Sequence, residues 1–117
     1  YSNLGNVLRN LGKLKDAALS QRKAIGLNPD FAKAHLNLGI ILKDLGKFKE
    51  AELSYRKAIE LKPDYAEAYL NLGIILRERD KPKEAENSYK KLMSIRSWSI
   101  VGSYSFNYRF ESTSSHT

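Results

Sequence analysis

Apolar residues recur along the first 96 positions of this chain at helical spacing, and the pattern comes round three times. In the stretch Ala32–Leu45, His35, Leu38, Gly39 and Leu42 fall at i, i+3, i+4 and i+7, which is one buried stripe of an amphipathic helix. Ala51, Tyr55, Ala58 and Ile59 make a second stripe and predict a further helix over Phe48–Leu61. Gly46 marks the turn between the two. Lys62-Pro63-Asp64 ends the second helix, because proline cannot continue a helical hydrogen-bond ladder.

The same text is written three times with a period of 34 residues. Ala32–Tyr65 aligns without a gap on Ala66–Ser99, and on Tyr1–Phe31, which starts three residues into the unit. Small residues recur at fixed registers: Gly5, Gly39 and Gly73, then Ala17, Ala51 and Ala85. Glycine inside a helix costs about 1 kcal/mol against alanine. Three at one register therefore imply close helix–helix approach. The reading is an all-α chain of three helical hairpins, residues 1–31, 32–65 and 66–96, followed by a distinct segment over 97–117. A single hairpin cannot bury its own apolar face, whereas stacked neighbours can.

The Leu-Gly pair, the second-helix alanine, Tyr55 and Tyr89, the small Ala24 and Ala58, and the closing Pro29 and Pro63 resemble the tetratricopeptide repeat. That resemblance implies a right-handed superhelical solenoid whose first helices line a concave groove for a protein or peptide partner. Two departures stand out. His35 occupies a place where the family prefers a large aromatic, filled by Tyr1 and Tyr69 in the other units. The third unit has Asp80 for the turn glycine, Leu92 for the small alanine and Ser97 for the final proline. A ragged or extended last helix is expected there.

The resemblance places Ser2, Asn3, Asn6, Arg9 and Asn10 of the first unit in the groove. It adds Lys33, Leu36, Asn37, Ile40, Lys43 and Asp44 from the second, and Glu67, Leu70, Asn71, Ile74, Arg77 and Glu78 from the third. One column is uniform: Asn3, Asn37 and Asn71. An asparagine amide carries an acceptor and two donors, which matches a peptide group whatever the side chain. Helices pack roughly 8–10 Å apart and an extended chain rises about 3.3 Å per residue, so such a column would meet a peptide about every third residue. The column is similar to the asparagine ladder in the repeat domain of O-linked N-acetylglucosamine transferase. Apolar Leu36, Leu70, Ile40 and Ile74 point to partly desolvated partner side chains.

Chaperone-binding members of the family clamp the carboxylates of a C-terminal peptide with two asparagines and several cations. The asparagine places match Asn6 and Asn37, but the cationic places hold Ser2, Glu67 and Asn71. Without cations that mode is not expected here.

The net charge of +7 raises the question of nucleic acid or an acidic membrane surface. Its distribution answers it. Lys13, Lys15, Arg22 and Lys23 recur as Lys47, Lys49, Arg56 and Lys57, and again as Lys81, Lys83, Lys90 and Lys91. These positions fall on turns and second helices, away from the groove. Acids are threaded among them, with Glu52–Arg56 and Glu86–Lys90 in the favourable i, i+4 order. No stacking aromatics accompany the stripe. A solvated outer face is expected, with Glu50 and Glu52 as solvated pair members.

From Trp98 the helical period stops and aromatics alternate through Tyr104, Phe106, Tyr108 and Phe110, a strand-like period of two. One strand cannot stand alone, so this segment is expected to cap the solenoid, to self-associate or to stay disordered. The chain has no cysteine, no apolar run of membrane-spanning length and no visible leader, so a cytoplasmic setting is expected. Metal-protease, phosphate-loop and nucleophile-elbow motifs are missing, and His35 reads as a packing residue rather than a base. The chain thus reads as a non-enzymatic adaptor without cofactor, metal, nucleic acid or membrane partner. The alternatives are a recruiting arm of a larger glycosyltransferase or sulfotransferase, and a solenoid that assembles end to end.

Overall fold

The computed structural model describes the backbone of residues 2–96 and the side chains of residues 10–96. Every described element is a helix: α1 (Ser2–Leu27), α2 (Ala32–Asp44), α3 (Phe48–Leu61), α4 (Ala66–Glu78) and α5 (82–96). The periodic stripes do what their spacing predicts. Leu38, Leu42, Ala51, Tyr55 and Ala58 are all buried in one continuous core with Ala68, Leu72, Ile75, Leu76 and Ala85. Contacts join α1 to α2, α2 to α3, α3 to α4 and α2 to α4, the neighbour-to-neighbour pattern of a helical-repeat solenoid. The tail expectations for 97–117 lie outside the described residues.

Two glycines explain the hairpins. A Cβ on Gly39 would sit 2.5 Å from the Tyr55 ring, and one on Gly73 would sit 2.5 Å from Tyr89. Each tyrosine ring thus occupies the space a side chain would need at the glycine of its own unit's first helix. The turns that bring them there share one hydrogen-bond plan. Lys47 N–H reaches Leu42 O at 2.8 Å and Gly46 N–H reaches Lys43 O at 2.9 Å, with Gly46 at φ 80°. Lys81 N–H reaches Leu76 O at 2.8 Å and Asp80 N–H reaches Arg77 O at 3.1 Å, with Asp80 at φ 58°. Both are six-to-one, five-to-two helix stops that need a left-handed residue. Asp80 therefore takes over the glycine's role, because aspartate tolerates that region better than most side chains. The third hairpin keeps its turn.

The first unit departs from the expected hairpin. Residues 2–27 form one unbroken helix that passes straight through Gly12, and no atom approaches within 4 Å of where a Cβ on Gly12 would lie. The physical reason is visible in the register. Gln21 stands where Tyr55 and Tyr89 stand in the other units, so the first unit has no ring to press on Gly5. Without that wedge, the helix-forming run Leu8–Ser20 stays continuous at the modest cost of one internal glycine, about 1 kcal/mol. The consequence reaches the packing. Ala51 and Ala85 are 0% and 1% exposed, but the matching Ala17 on α1 is only half-buried.

Candidate functional site: the first-helix face

The two described first helices, α2 and α4, carry the expected groove residues in matching registers. Asn37 and Ile40 on α2, and Asn71 and Ile74 on α4, are all half-buried. Ile40 leans on the core, leaving part of its surface available. Lys33, Asp44, Glu67, Arg77 and Glu78 are exposed, Lys43 is half-buried, and Leu70 is 36% exposed. Asn10 is exposed on α1. The side chains of Asn3, Asn6 and Arg9 lie outside the described set.

Leu36 is the correction. It is 1% exposed and belongs to the core cluster that also holds Ala18 of α1. A residue that dry has no surface to offer a partner. Its twin Leu70 stays open, so the repeat's symmetry is broken at this column by what packs beside each helix. Sequence alone could not separate the two, because both are leucines at one register.

Asn71 is also not wholly free. Its Nδ2 donates to Glu67 O at 2.8 Å, one turn back along its own helix. That bond holds the side chain in one orientation and leaves Oδ1 and the second N–H hydrogen for another group. Lys43 and Arg77 sit in the last turns of α2 and α4, and Glu67 in the first turn of α4. Each complements the helix dipole, so these charges have a structural reason as well. Beside Asn71's helix, Ile74, Arg77, Glu78 and Tyr89 line a cleft of about 430 Å³. Tyr89, missed as a groove residue by sequence reasoning, lines it and is half-buried, with no described helix packed beyond α5.

The opposite face is built on charge. Arg22–Glu50 at 3.9 Å, Arg56–Glu84 at 3.8 Å, Lys57–Glu60 at 3.5 Å and Lys90–Glu86 at 3.3 Å are exposed pairs. They support the solvated reading of that stripe. Glu52 overturns its share of it. The residue is 7% exposed and is contacted by Arg56 at 3.0 Å, by Lys81 at 3.6 Å and by Arg79. Burial would push its carboxyl up, but the hydrogen bonds from Arg56 and Arg79 and the Arg56 and Lys81 charges outweigh it. The net effect holds Glu52 below the ordinary carboxylate range. A signal was available in the sequence. Arg79 occupies the register of Leu11 and Leu45, and a cation on an apolar column calls for a buried anion nearby.

His35 is 9% exposed and its Nε2 lies 3.0 Å from Pro29 O, donating as Nε2–H to that carbonyl. It closes the loop before α2, in keeping with a packing role. Tyr55 is 0% exposed, and its hydroxyl meets no hydrogen-bond partner among the described residues. Burial, with a lesser contribution from Asp44, pushes its phenol up to about 12. Among the described residues there is no cluster of three or more acidic, histidine or cysteine side chains able to hold a metal ion. No described helix is long and apolar enough to cross a membrane.

Antiparallel helix pairs stacked on a 34-residue period, each closed by a tyrosine on a glycine, define a helical-repeat solenoid of the interaction-module class. Three tetratricopeptide-repeat family models match the chain, over residues 32–65, 5–46 and 54–87. The chain is a tetratricopeptide-repeat protein.

Solved structures of the same fold include the crystal structure of MamA, at 26% identity and TM-score 0.74 over 83% of this chain and 57% of that one. The first repeat domain of Spaghetti (RPAP3), bound to the HSP90 peptide SRMEEVD, matches at 25% identity and TM-score 0.70 over 80% of this chain and 74% of that one. The second domain of the same protein, bound to the same peptide, matches in fold at 22% identity and TM-score 0.69 over 80% and 86% of the two chains. This chain spans a little over half of the MamA chain, at 57%. No curated protein matches the sequence.

Proposed function

We propose that this protein is an interaction module whose first-helix face holds an extended segment of another protein by its backbone. One observation carries the reading. Asn37 and Asn71 stand at one register of α2 and α4, each half-buried and each followed three residues on by a half-buried isoleucine. An amide beside partly dry apolar surface gains more from a peptide group than an amide in open water. Each hydrogen bond contributes about 0.5–1.5 kcal/mol net, so three contribute about 1.5–4.5 kcal/mol, millimolar binding or weaker by themselves, and apolar contacts must supply the rest of any tighter binding. Leu70, Ile40 and Ile74 add contacts for partner side chains. Solved relatives with bound peptide support a peptide ligand for this fold.

The ligand differs from theirs in chemistry. SRMEEVD is an acidic peptide, whereas the places that hold cations in carboxylate-clamping members are Ser2, Glu67 and Asn71 here. Glu67 is exposed and would repel a carboxylate. A peptide of mixed or neutral character, read by its backbone, fits better.

The test is selection from a display library of unstructured peptides, with fluorescence anisotropy on the recovered sequences. Changing Asn3, Asn37 and Asn71 together to alanine should weaken all recovered peptides by roughly ten-fold to a thousand-fold. SRMEEVD should show no saturable binding. Equal affinity of the wild type and the triple variant for every peptide would remove the backbone-holding mechanism.

A further inference from the structure

A second cavity is lined by α3, α4 and α5 together. Its volume is about 490 Å³, within the roughly 300–1,000 Å³ of small-ligand sites. Ile59, Tyr69, Leu72 and Leu76 make an apolar floor, of which Leu72 and Leu76 are 4% and 1% exposed. Exposed Arg56, Glu60, Glu84 and Asn87 stand round it, with buried Ser88. On α4 its residues fall on the side away from Asn71 and Ile74, and it shares no residue with the cleft at Tyr89.

The repeat itself separates what the scaffold needs from what it does not. One unit earlier the same registers hold Arg22, Ile25, Leu38, Leu42, Glu50 and Ser54, identical to Arg56, Ile59, Leu72, Leu76, Glu84 and Ser88. The ion pair between second helices is repeated too, Arg22–Glu50 at 3.9 Å and Arg56–Glu84 at 3.8 Å. Three registers differ: Glu60 stands for Gly26, Tyr69 for His35 and Asn87 for Leu53. In the earlier copy His35 is engaged with Pro29 O at 3.0 Å, and Leu53 is 59% exposed. The later copy thus gathers a phenol, an amide and a carboxylate round a floor that packing had already made apolar. Stacking does not require them, since the earlier junction is built without them.

Glu60 lies 3.5 Å from Lys57, and Glu84 lies 3.8 Å from Arg56 and 4.0 Å from Lys81. Each carboxylate is therefore charge-balanced. These separations still exceed the roughly 2.7–3.2 Å of a good N–H···O bond and leave acceptor lone pairs open. A further cation gains little there, whereas a neutral donor gains a hydrogen bond. An apolar ring bearing one O–H or N–H matches both floor and rim, and tyrosine and tryptophan side chains have that division. We infer that this cavity binds the phenol or indole ring of a tyrosine or tryptophan from a partner protein. Aromatic anchors in pockets ringed by polar residues are where interfaces concentrate their energy. The site stands apart from the peptide-holding face, and either reading can fail alone.

The test is a heteronuclear NMR titration of the full chain with p-cresol, toluene and N-acetyl-tyrosinamide. p-Cresol should shift the signals of Ile59, Leu72, Leu76 and Asn87 saturably at millimolar concentration and leave Asn37 unmoved. Toluene, which lacks the donor, should bind about three- to ten-fold more weakly. N-acetyl-tyrosinamide should bind at least as well as p-cresol, its backbone remaining in solvent. Asn87→Leu puts the residue of the preceding unit at an exposed position, so far-UV circular dichroism should match the wild type. Its affinity for p-cresol should fall about three- to ten-fold. The inference is overturned by the lack of any saturable shift, by equal binding of toluene and p-cresol, or by an Asn87→Leu variant that binds like the wild type. Exclusion of N-acetyl-tyrosinamide would overturn it in favour of a free small molecule. Nuclear Overhauser contacts from the Leu72 and Leu76 methyls to residues 97–117 of the same chain would overturn it in favour of the tail.

Discussion

Replacing Glu52 by glutamine keeps the shape of the side chain and removes the buried anion around which Arg56, Arg79 and Lys81 gather, leaving, among the described residues, only exposed Glu84 near Arg56 and Lys81. Cutting one member from a fully buried ion pair costs about 3–5 kcal/mol, chiefly because the partner is left charged and dry. Here the partners are wetter. The Glu52 side chain is 9% exposed, but those of Arg79, Lys81 and Arg56 are 25%, 38% and 46% exposed, so water recovers part of their solvation. The cost should fall to about 2 kcal/mol, a drop of roughly 8–16 °C in midpoint for a domain of this size. Urea and thermal unfolding followed by far-UV circular dichroism measure it. The control is Glu86→Gln, the same register one unit on, where Glu86 and Lys90 are 64% and 71% exposed and the loss should stay under about 0.5 kcal/mol. The pH dependence has a fixed sign. Glu52 is held below its unfolded value, so its contribution is complete above the ordinary carboxylate range. The gap between wild type and Glu52→Gln should therefore be flat near neutrality and close as pH falls through and below that range. Equal losses for Glu52→Gln and Glu86→Gln would refute the reasoning, as would a gap that widened in acid.

Two further changes test the helices themselves. Gly12→Ala should stabilise the protein by up to about 1 kcal/mol and raise its helicity, because α1 runs through Gly12 with open space at the Cβ position. Destabilisation would mean that Gly12 turns the chain as Gly46 does; Gly39→Ala, driven into the Tyr55 ring, should cost about 1–3 kcal/mol by the same unfolding assay. Tyr55→Phe removes a buried hydroxyl with no partner among the described residues, so stability should hold or rise slightly. Ultraviolet titration of the wild type should contain one phenol ionising near 12 that the variant lacks.

Much of this architecture could be read from residues. The helix Phe48–Leu61 was bounded by Gly46 and by Pro63, and α2 ended one residue before the expected Leu45. The helical stripes named His35, Leu38, Gly39, Leu42, Ala51, Tyr55 and Ala58, which are buried, and Ile59, which is half-buried. Such features are local, set by side-chain period and by which residues can turn a backbone. That Asn37 and Asn71 stand at one register of α2 and α4 follows from the period alone, since helical register fixes which residues share a side.

What the repeat could not convey lies in its broken symmetry. Three copies of one pattern predict three equal hairpins, yet α1 stays straight through Gly12, and the difference that goes with it, Gln21 in place of Tyr55 and Tyr89, is one residue in an otherwise matching unit. Leu36 and Leu70 are identical in the pattern and differ in exposure, because only Leu36 joins the cluster that α1 helps to close. Arg79 on an apolar column called for a buried anion, but that Glu52, 27 positions back, meets both Arg79 and Lys81 was decided by packing. Periodicity sets which face of each helix is apolar. Which neighbour reaches that face, and how much water it displaces, is decided by packing between units, and one chain's period carries no record of that.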